Sequence, residues 1–339
     1  MTDTIGGVDQ LRSTMATRGA EGEALARGTP AGGDRSRKRK LGIGFWMSAG
    51  WVTLVLLWAV LGNAFPGTQD PTKPDPCAPF VAKRVDLGLD NGLGTTSTKA
   101  GCTVASRAGA GPSTKHLLGL DLSARDNLAR IVSGARVAMV VGVVTIAIAM
   151  LIGGSIGLIA GYFGGKIETF MMAAVDIMLA FPTLVLALAI VAILGQGLST
   201  TMIAITVVAV PAMARIARAS TLTYARREFV TAARLMGAKN SRIIVREILP
   251  NVIFPLLAFA LIAIAVAIVA EGALAFLSLS VKDPQPSWGQ MITDGRPGLL
   301  RGQPAASLIP AGVMFLTVLS FNLLGDKFRQ IFNVREAAL

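Results

Sequence analysis

The sequence predicts an all-α membrane protein, a polytopic bundle of six transmembrane helices with a long extracellular loop inserted after the first. Two observations carry this. Only 15% of the 339 residues are charged, against about a quarter in an ordinary soluble protein. The charges are also missing in blocks. Segments 41–65, 137–165, 177–214, 248–270 and 302–325 contain none, and the third runs for 38 residues. A membrane helix needs about 20 apolar residues, so the 38-residue block holds two crossings. This composition excludes a soluble enzyme. The lengths exclude a β-barrel, whose strands are short and alternate.

In chain order, residues 1–40 read as a disordered, basic cytoplasmic tail, ending in Arg35, Arg37, Lys38, Arg39 and Lys40. The first membrane helix, 41–65, is too long for a secretory h-region and lacks a small-residue cleavage site, so it stays in place with its N-terminus inside. Six spans follow from the pattern: 43–65, 137–161, 170–194, 201–217, 251–270 and 308–324. The loop 215–248 carries eight basic residues against two acidic ones, which marks it as cytoplasmic. Residues 137–325 form the core of five spans around that loop, and 326–339 form a cytoplasmic C-terminal tail.

The extracytoplasmic segment 66–136 holds nine basic and six acidic residues. Its positive balance runs against the topology, although long loops translocate largely regardless of charge. Cys77 and Cys102, the only cysteines, both fall in it. An oxidising exterior permits a disulfide between them, and two free thiols are the alternative. Ser123-Ala-Arg-Asp126 has capping-box spacing. Leu128, Ile131, Val132 and Ala135 then recur at helical spacing, which describes either an interfacial helix or the start of a long second span.

Within the spans, Gly153, Gly157 and Gly161 permit close helix packing, and Pro182, Pro211 and Pro255 predict kinks. Asp176 and Glu271 are the two acids nearest the hydrocarbon; they are candidate translocation-pathway residues, with structural hydrogen bonding as the alternative. The Pro- and Gly-rich loop 284–301 carries Trp288, expected to face the pathway mouth or an outside partner. His116, the only histidine, has no second ligand at metal spacing. Gly161-Tyr-Phe-Gly-Gly-Lys166 fails as a phosphate loop, because Ala160 and Ile167 occupy required positions. No catalytic or metal constellation is present, nor any nucleic-acid module.

The most informative stretch is 228–251. Phe229, Ala232, Ala233 and Met236 form one helical face. Gly237 can close the helix in a left-handed cap, and Asn240 or Ser241 can start a second helix that carries Ile243, Ile244 and Ile248 up to Pro250. Such an elbow could lie on lipid or dock another protein.

Ala232-Ala233, Gly237 and Leu249-Pro250 together resemble the "EAA" loop of permease subunits in bacterial ABC importers. The form is similar to the C-type permease of the dipeptide and oligopeptide branch. Further matches are His116-Leu-Leu-Gly-Leu-Asp121 with Arg125-Asp126, Gly134-Ala-Arg136, and Asp176-Ile-Met-Leu-Ala-Phe-Pro182. Pro286-Ser-Trp-Gly289 with Asp294-Gly-Arg296, and Phe321-Asn-Leu-Leu-Gly-Asp326, match as well. Thr231 stands where the wider family has its namesake glutamate. The resemblance implies an ABC-importer-type fold and a multi-pass subunit of the bacterial inner membrane with both termini cytoplasmic. It implies an ATPase-coupling site at Phe229, Thr231, Ala232, Ala233, Met236, Gly237 and Ala238. It also implies import of di- and oligopeptides, or of nickel or another small solute by the same branch; a secondary transporter fits less well, since inverted repeats and paired intramembrane charges are missing. The implied partners are a second homologous permease, two ATP-binding subunits or one fused ATPase, an extracytoplasmic substrate-binding protein and the bilayer. ATP and Mg would be bound by the ATPases, with no cofactor on this chain.

Overall fold

The computed structural model describes residues 42–62, 70–77, 108–114 and 116–336. The predicted tail 1–40, Cys102 and most of the loop 66–115 lie outside the described residues. The described elements are helices: α1 (Ile43–Leu61), α2 (Asn127–Phe163), α3 (Gly165–Leu179), α4 (Thr183–Leu194), α5 (Leu198–Ala225), α6 (Glu228–Leu235), α7 (Asn240–Phe276), α8 (Trp288–Leu300) and α9 (Ala305–Glu336). Among the described residues the only β pairing is an isolated bridge between Leu120 and Asp126. Five helices are long and apolar enough to cross a membrane, or six if α3 and α4 count as one broken span.

Helix α2 runs unbroken for 37 residues through a π-helical turn at Val140–Val144. Its first part is therefore the start of a long span, not an interfacial helix. Asn127, Arg130, Ile131, Val132 and Ala135 are all buried there, so the segment is packed on most sides. The capping residue is Asp126, whose carboxylate accepts from the Ala129 N–H at 2.9 Å, rather than Ser123. The reason is local. Asp121 takes the Ser123 and Arg125 N–H groups at 2.8 Å each, and Ala124 turns the chain at φ 59°.

The closest helix pair is α2 with α5. A Cβ on Gly153, Gly157 or Gly161 would lie 2.8, 2.6 and 2.8 Å from the Cβ atoms of Met213, Ala217 and Thr221. The glycine stripe thus sets how near the two backbones come. Helix α5 extends two turns past the predicted span, which places Arg218 on a helix rather than in the loop.

The third span is corrected most. Helices α3 and α4 meet at 84°. Pro182, the residue before α4, has no N–H to continue the ladder, and its ring pushes the preceding residue out of the helical region. Pro211 and Pro255 instead lie inside continuous helices. The predicted second elbow helix and fifth span are likewise one helix, α7, with a π-helical turn at Ile243–Ile248. That wide turn sits directly before Pro250, where a regular turn would drive the ring into the Arg246 carbonyl.

The predicted outer loop 284–301 contains helix α8. Ser287 caps it, accepting from the Gln290 N–H at 3.1 Å. Trp288 is buried and donates its indole N–H to the Ile131 carbonyl at 3.0 Å. Gly134 leaves it room, since a Cβ there would stand 2.9 Å from the indole Cδ1. Helix α9 continues past the predicted span end to Glu336, so residues 326–336 of the expected tail are helical. Trp51 of α1 donates to Thr317 of α9 at 3.0 Å.

Candidate functional site

The elbow is built from the spans beneath it. Val230 and Ala233 of α6 are buried with Leu158, Ala217, Ile243, Ile248 and Val252 in one apolar cluster. Met236 ends the helix and Gly237 follows at φ 76°. The Gly237 N–H bonds the Arg234 carbonyl and the Ala238 N–H bonds the Ala233 carbonyl, each at 3.0 Å. This is the double-bonded glycine cap that reverses a helix end. No atom lies near the missing Cβ of Gly237, so backbone conformation alone calls for glycine.

Tyr162 at the end of α2 ties both arms of the elbow. Its hydroxyl donates to Asn240 Oδ1 at 2.8 Å. The Arg234 guanidinium stands 5.2 Å from its ring centroid, within cation–π range. Asn240 is therefore the first residue of α7, engaged by Tyr162, and not a side-chain cap; neither it nor Ser241 caps the helix.

The helical face over Phe229, Ala232, Ala233 and Met236 is split by the structure. Ala233 points inward with Val230. Phe229, Thr231, Ala232, Leu235, Met236 and Gly237 are exposed and Ala238 is half-buried. Leu235 and Met236 are 85% and 81% exposed, and Phe229 40%. Beneath the elbow, α3 is strapped to α5 by two ion pairs, Glu168 with Arg218 and Asp176 with Arg215, the latter at 2.7 Å. Asp176, on α3 of the broken span, is thus paired with Arg215 and exposed on the surface of the chain.

Glu271 is fully buried at the far end of α7. It accepts from the Ser280 hydroxyl at 2.7 Å and is bonded by Ser287. Those bonds tie the segment after α7 to the bundle. Trp288 is an interior anchor, not a side chain facing a pathway mouth. Cys77 is buried and disulfide-bonded.

The same end carries a polar knot that sequence reasoning missed. His116 is fully buried, with Nδ1 at 2.8 Å from Asp126 and Nε2 at 3.0 Å from Asp75. The carboxylate of Asp126 thus caps α2 and holds the imidazole together. Beside it, Arg125 donates to Asp121 at 2.7 Å and to Asp283 at 3.2 Å. Arg130 approaches Asp121 at 3.3 Å and Asp294 at 3.5 Å. Burial works against the Arg125 charge, but Asp121 and Asp283 outweigh it and hold the guanidinium above its usual range. Burial pushes the Asp294 carboxyl up, with Arg130 and Arg125 pulling the other way. Arg125 and Arg130, two of the basic residues that unbalance the expected outer segment 66–136, thus face carboxylates. The available signal was the pairing of His116, Asp121, Arg125, Asp126 and Asp294 inside the family-like motifs. Among the described residues no group of three His, Cys, Asp or Glu side chains is placed to hold a metal ion.

Residues 153–335 match the family described as binding-protein-dependent transport system inner membrane component. The chain is 37% identical over 223 residues to the glutathione transport system permease protein GsiD of Pectobacterium atrosepticum, covering 66% of this chain and 74% of that one. It is 41% identical over 219 residues to the dipeptide transport system permease protein DppC of Alkalihalophilus pseudofirmus, covering 65% and 72%. Among solved structures, a chain of the MetNI methionine ABC transporter in an inward-facing conformation shares the fold. The TM-score is 0.51 at 18% identity, over 60% of this chain and 96% of that one. The family match takes in α5, the elbow and α7, where the fold is most closely packed, and the chain belongs to the family of binding-protein-dependent transport system inner membrane components.

Proposed function

We propose that this chain is a permease subunit of an ATP-driven importer of di- and oligopeptides. It supplies half of the translocation pathway and hydrolyses no ATP itself. A second homologous permease supplies the other half, two ATP-binding subunits or one fused ATPase dock beneath, and an extracytoplasmic binding protein delivers the solute. ATP and Mg belong to the ATPases. The elbow and both termini face the cytoplasm, and Cys77 pairs with Cys102 outside. The dipeptide and glutathione permeases similar to it support the substrate class.

The observation that carries the coupling role is the exposed apolar face of α6. Phe229, Ala232, Leu235 and Met236 are open to solvent although the helix under them is firmly anchored. Covering a large apolar side chain is worth about 1.5–3 kcal/mol, so Phe229, Leu235 and Met236 form a docking surface for the ATPase. Movement of that surface passes through Val230 and Ala233 into the apolar cluster, and through Tyr162 into α2. The glycine-capped turn passes it to α7. The helix bundles then rock between outward and inward access.

The test is Gly237→Val in the assembled transporter reconstituted in vesicles. A β-branched residue resists positive φ, while the open space around Gly237 leaves packing intact. Assembly and ATP hydrolysis should persist while peptide uptake falls at least about tenfold, a loss of roughly 1.4 kcal/mol of coupling. Normal uptake by that variant contradicts the coupling turn.

A further inference from the structure

The bundle end opposite the elbow holds a small polar niche that none of these roles uses. Its walls come from Gln196 in the α4–α5 turn, Ser278 and Val281 after α7, and Gln290, Thr293 and Asp294 on α8. Its volume is about 60 Å³, several times the ~10–15 Å³ that one water-sized body needs.

The lining is rich in acceptors, and the donors of Gln196 and Thr293 are spent. The Gln196 amide N–H donates to the Ser278 carbonyl at 2.9 Å, and the Thr293 hydroxyl donates to the Gly289 carbonyl at 3.1 Å. Gln290 Oε1 is buried with no hydrogen-bond partner. A buried acceptor left unpaired is costly and calls for a donor. Asp294 stands 3.5 and 3.6 Å from Arg130 and Arg125, too far for full hydrogen bonding. Its cluster sets the three carboxylates of Asp121, Asp283 and Asp294 against the two guanidiniums of Arg125 and Arg130. One negative charge is left over, so the niche favours a small cation and repels a carboxylate.

We propose that this niche binds a primary ammonium group, donating to Gln290 Oε1 and to the Asp294 carboxylate. It rests on the peptide reading for its natural occupant, the free N-terminus of an incoming peptide. An ammonium group carries three donors, which matches an unpaired amide oxygen beside a carboxylate with bonding capacity to spare. Acylation of that nitrogen removes the charge and two donors, so an N-acetylated peptide loses the site. Because Gln196 joins the α4–α5 turn to the segment after α7, the occupant touches walls from three parts of the chain.

The test uses the assembled transporter in nanodiscs, with alanyl-alanine amide and its N-acetyl form as probes of the thermal unfolding midpoint. The free-amine probe should raise the midpoint of the wild type and the N-acetyl form should not. Gln290→Met, which keeps side-chain length and removes the acceptor, and Asp294→Asn should each weaken the free-amine response at least tenfold in concentration. Gln290→Met guards against a folding defect at the charge cluster. Equal responses to both probes, or a response that survives both substitutions, overturn the proposal. So does a response to sodium or magnesium chloride in place of the amine. Peptide uptake is measured in parallel. Vesicles that take up no peptide overturn the peptide reading, while the amine response still decides the niche.

Discussion

Asp294 shows how one side chain can be both a strain on the fold and a resource for it. Burial raises its carboxyl above the ordinary value of 3.8, and Arg130 and Arg125 only partly oppose the shift. The folded chain therefore holds that proton more tightly than the unfolded chain. Its stabilising contribution is complete below the unfolded value and is lost as pH rises through the raised folded value. Asp121 and Asp283 face the same arginines and keep the carboxylate from being fully neutralised. Thermal scans run upward in pH from the ordinary carboxyl value should show this decline in the wild type and a flatter one in Asp294→Asn. Equal slopes contradict the assignment. Gly237 was legible from the sequence because a left-handed cap has a local signature. The burial of His116 between Asp75 and Asp126 was not, because its two partners lie 41 and 10 residues away and only the folded chain brings them together.

At the scale of elements, helix α8 was hidden by its own composition. Gly289, Gly295, Gly298 and Pro297 argue for a loop by propensity. They occur here because α8 packs where side chains do not fit. A Cβ on Gly289 would lie 2.6 Å from the Gly272 Cα, and one on Gly295 would lie 2.6 Å from the Ala306 backbone. Tertiary packing overrode propensity, and Trp288 is its anchor. Trp288→Ala should lower stability by about 3–5 kcal/mol, while Trp288→Phe, which keeps most of the ring, should cost less. Denaturant titration in detergent micelles measures both, and equal losses would contradict the anchoring role. Helix α6 failed differently. Its existence and its glycine stop were readable, but with only eight residues and apolar side chains on both sides, periodicity could not say which stripe turns inward. Val230 does, and Phe229 and Met236 do not.

Across the whole chain, the charge-free blocks located the spans, because a bilayer imposes length and apolarity on each crossing. They could not show that α2 and α7 run on beyond the blocks, nor that α3 and α4 meet at 84°, since those outcomes depend on π turns and on one proline. What unites the molecule is a firm scaffold with two exposed features at opposite ends, the apolar face of α6 and the acceptor-lined niche beside α8. Force applied to α6 reaches both α2 and α7 through side chains already in contact. The most direct measurement of that account is crosslinking from Ala232→Cys, placed on the exposed face, in the assembled transporter with a short bifunctional reagent. The account predicts a covalent link to the ATP-hydrolysing subunit whose yield changes when ATP is added. A link only to lipid or to the second permease, unchanged by ATP, would contradict it.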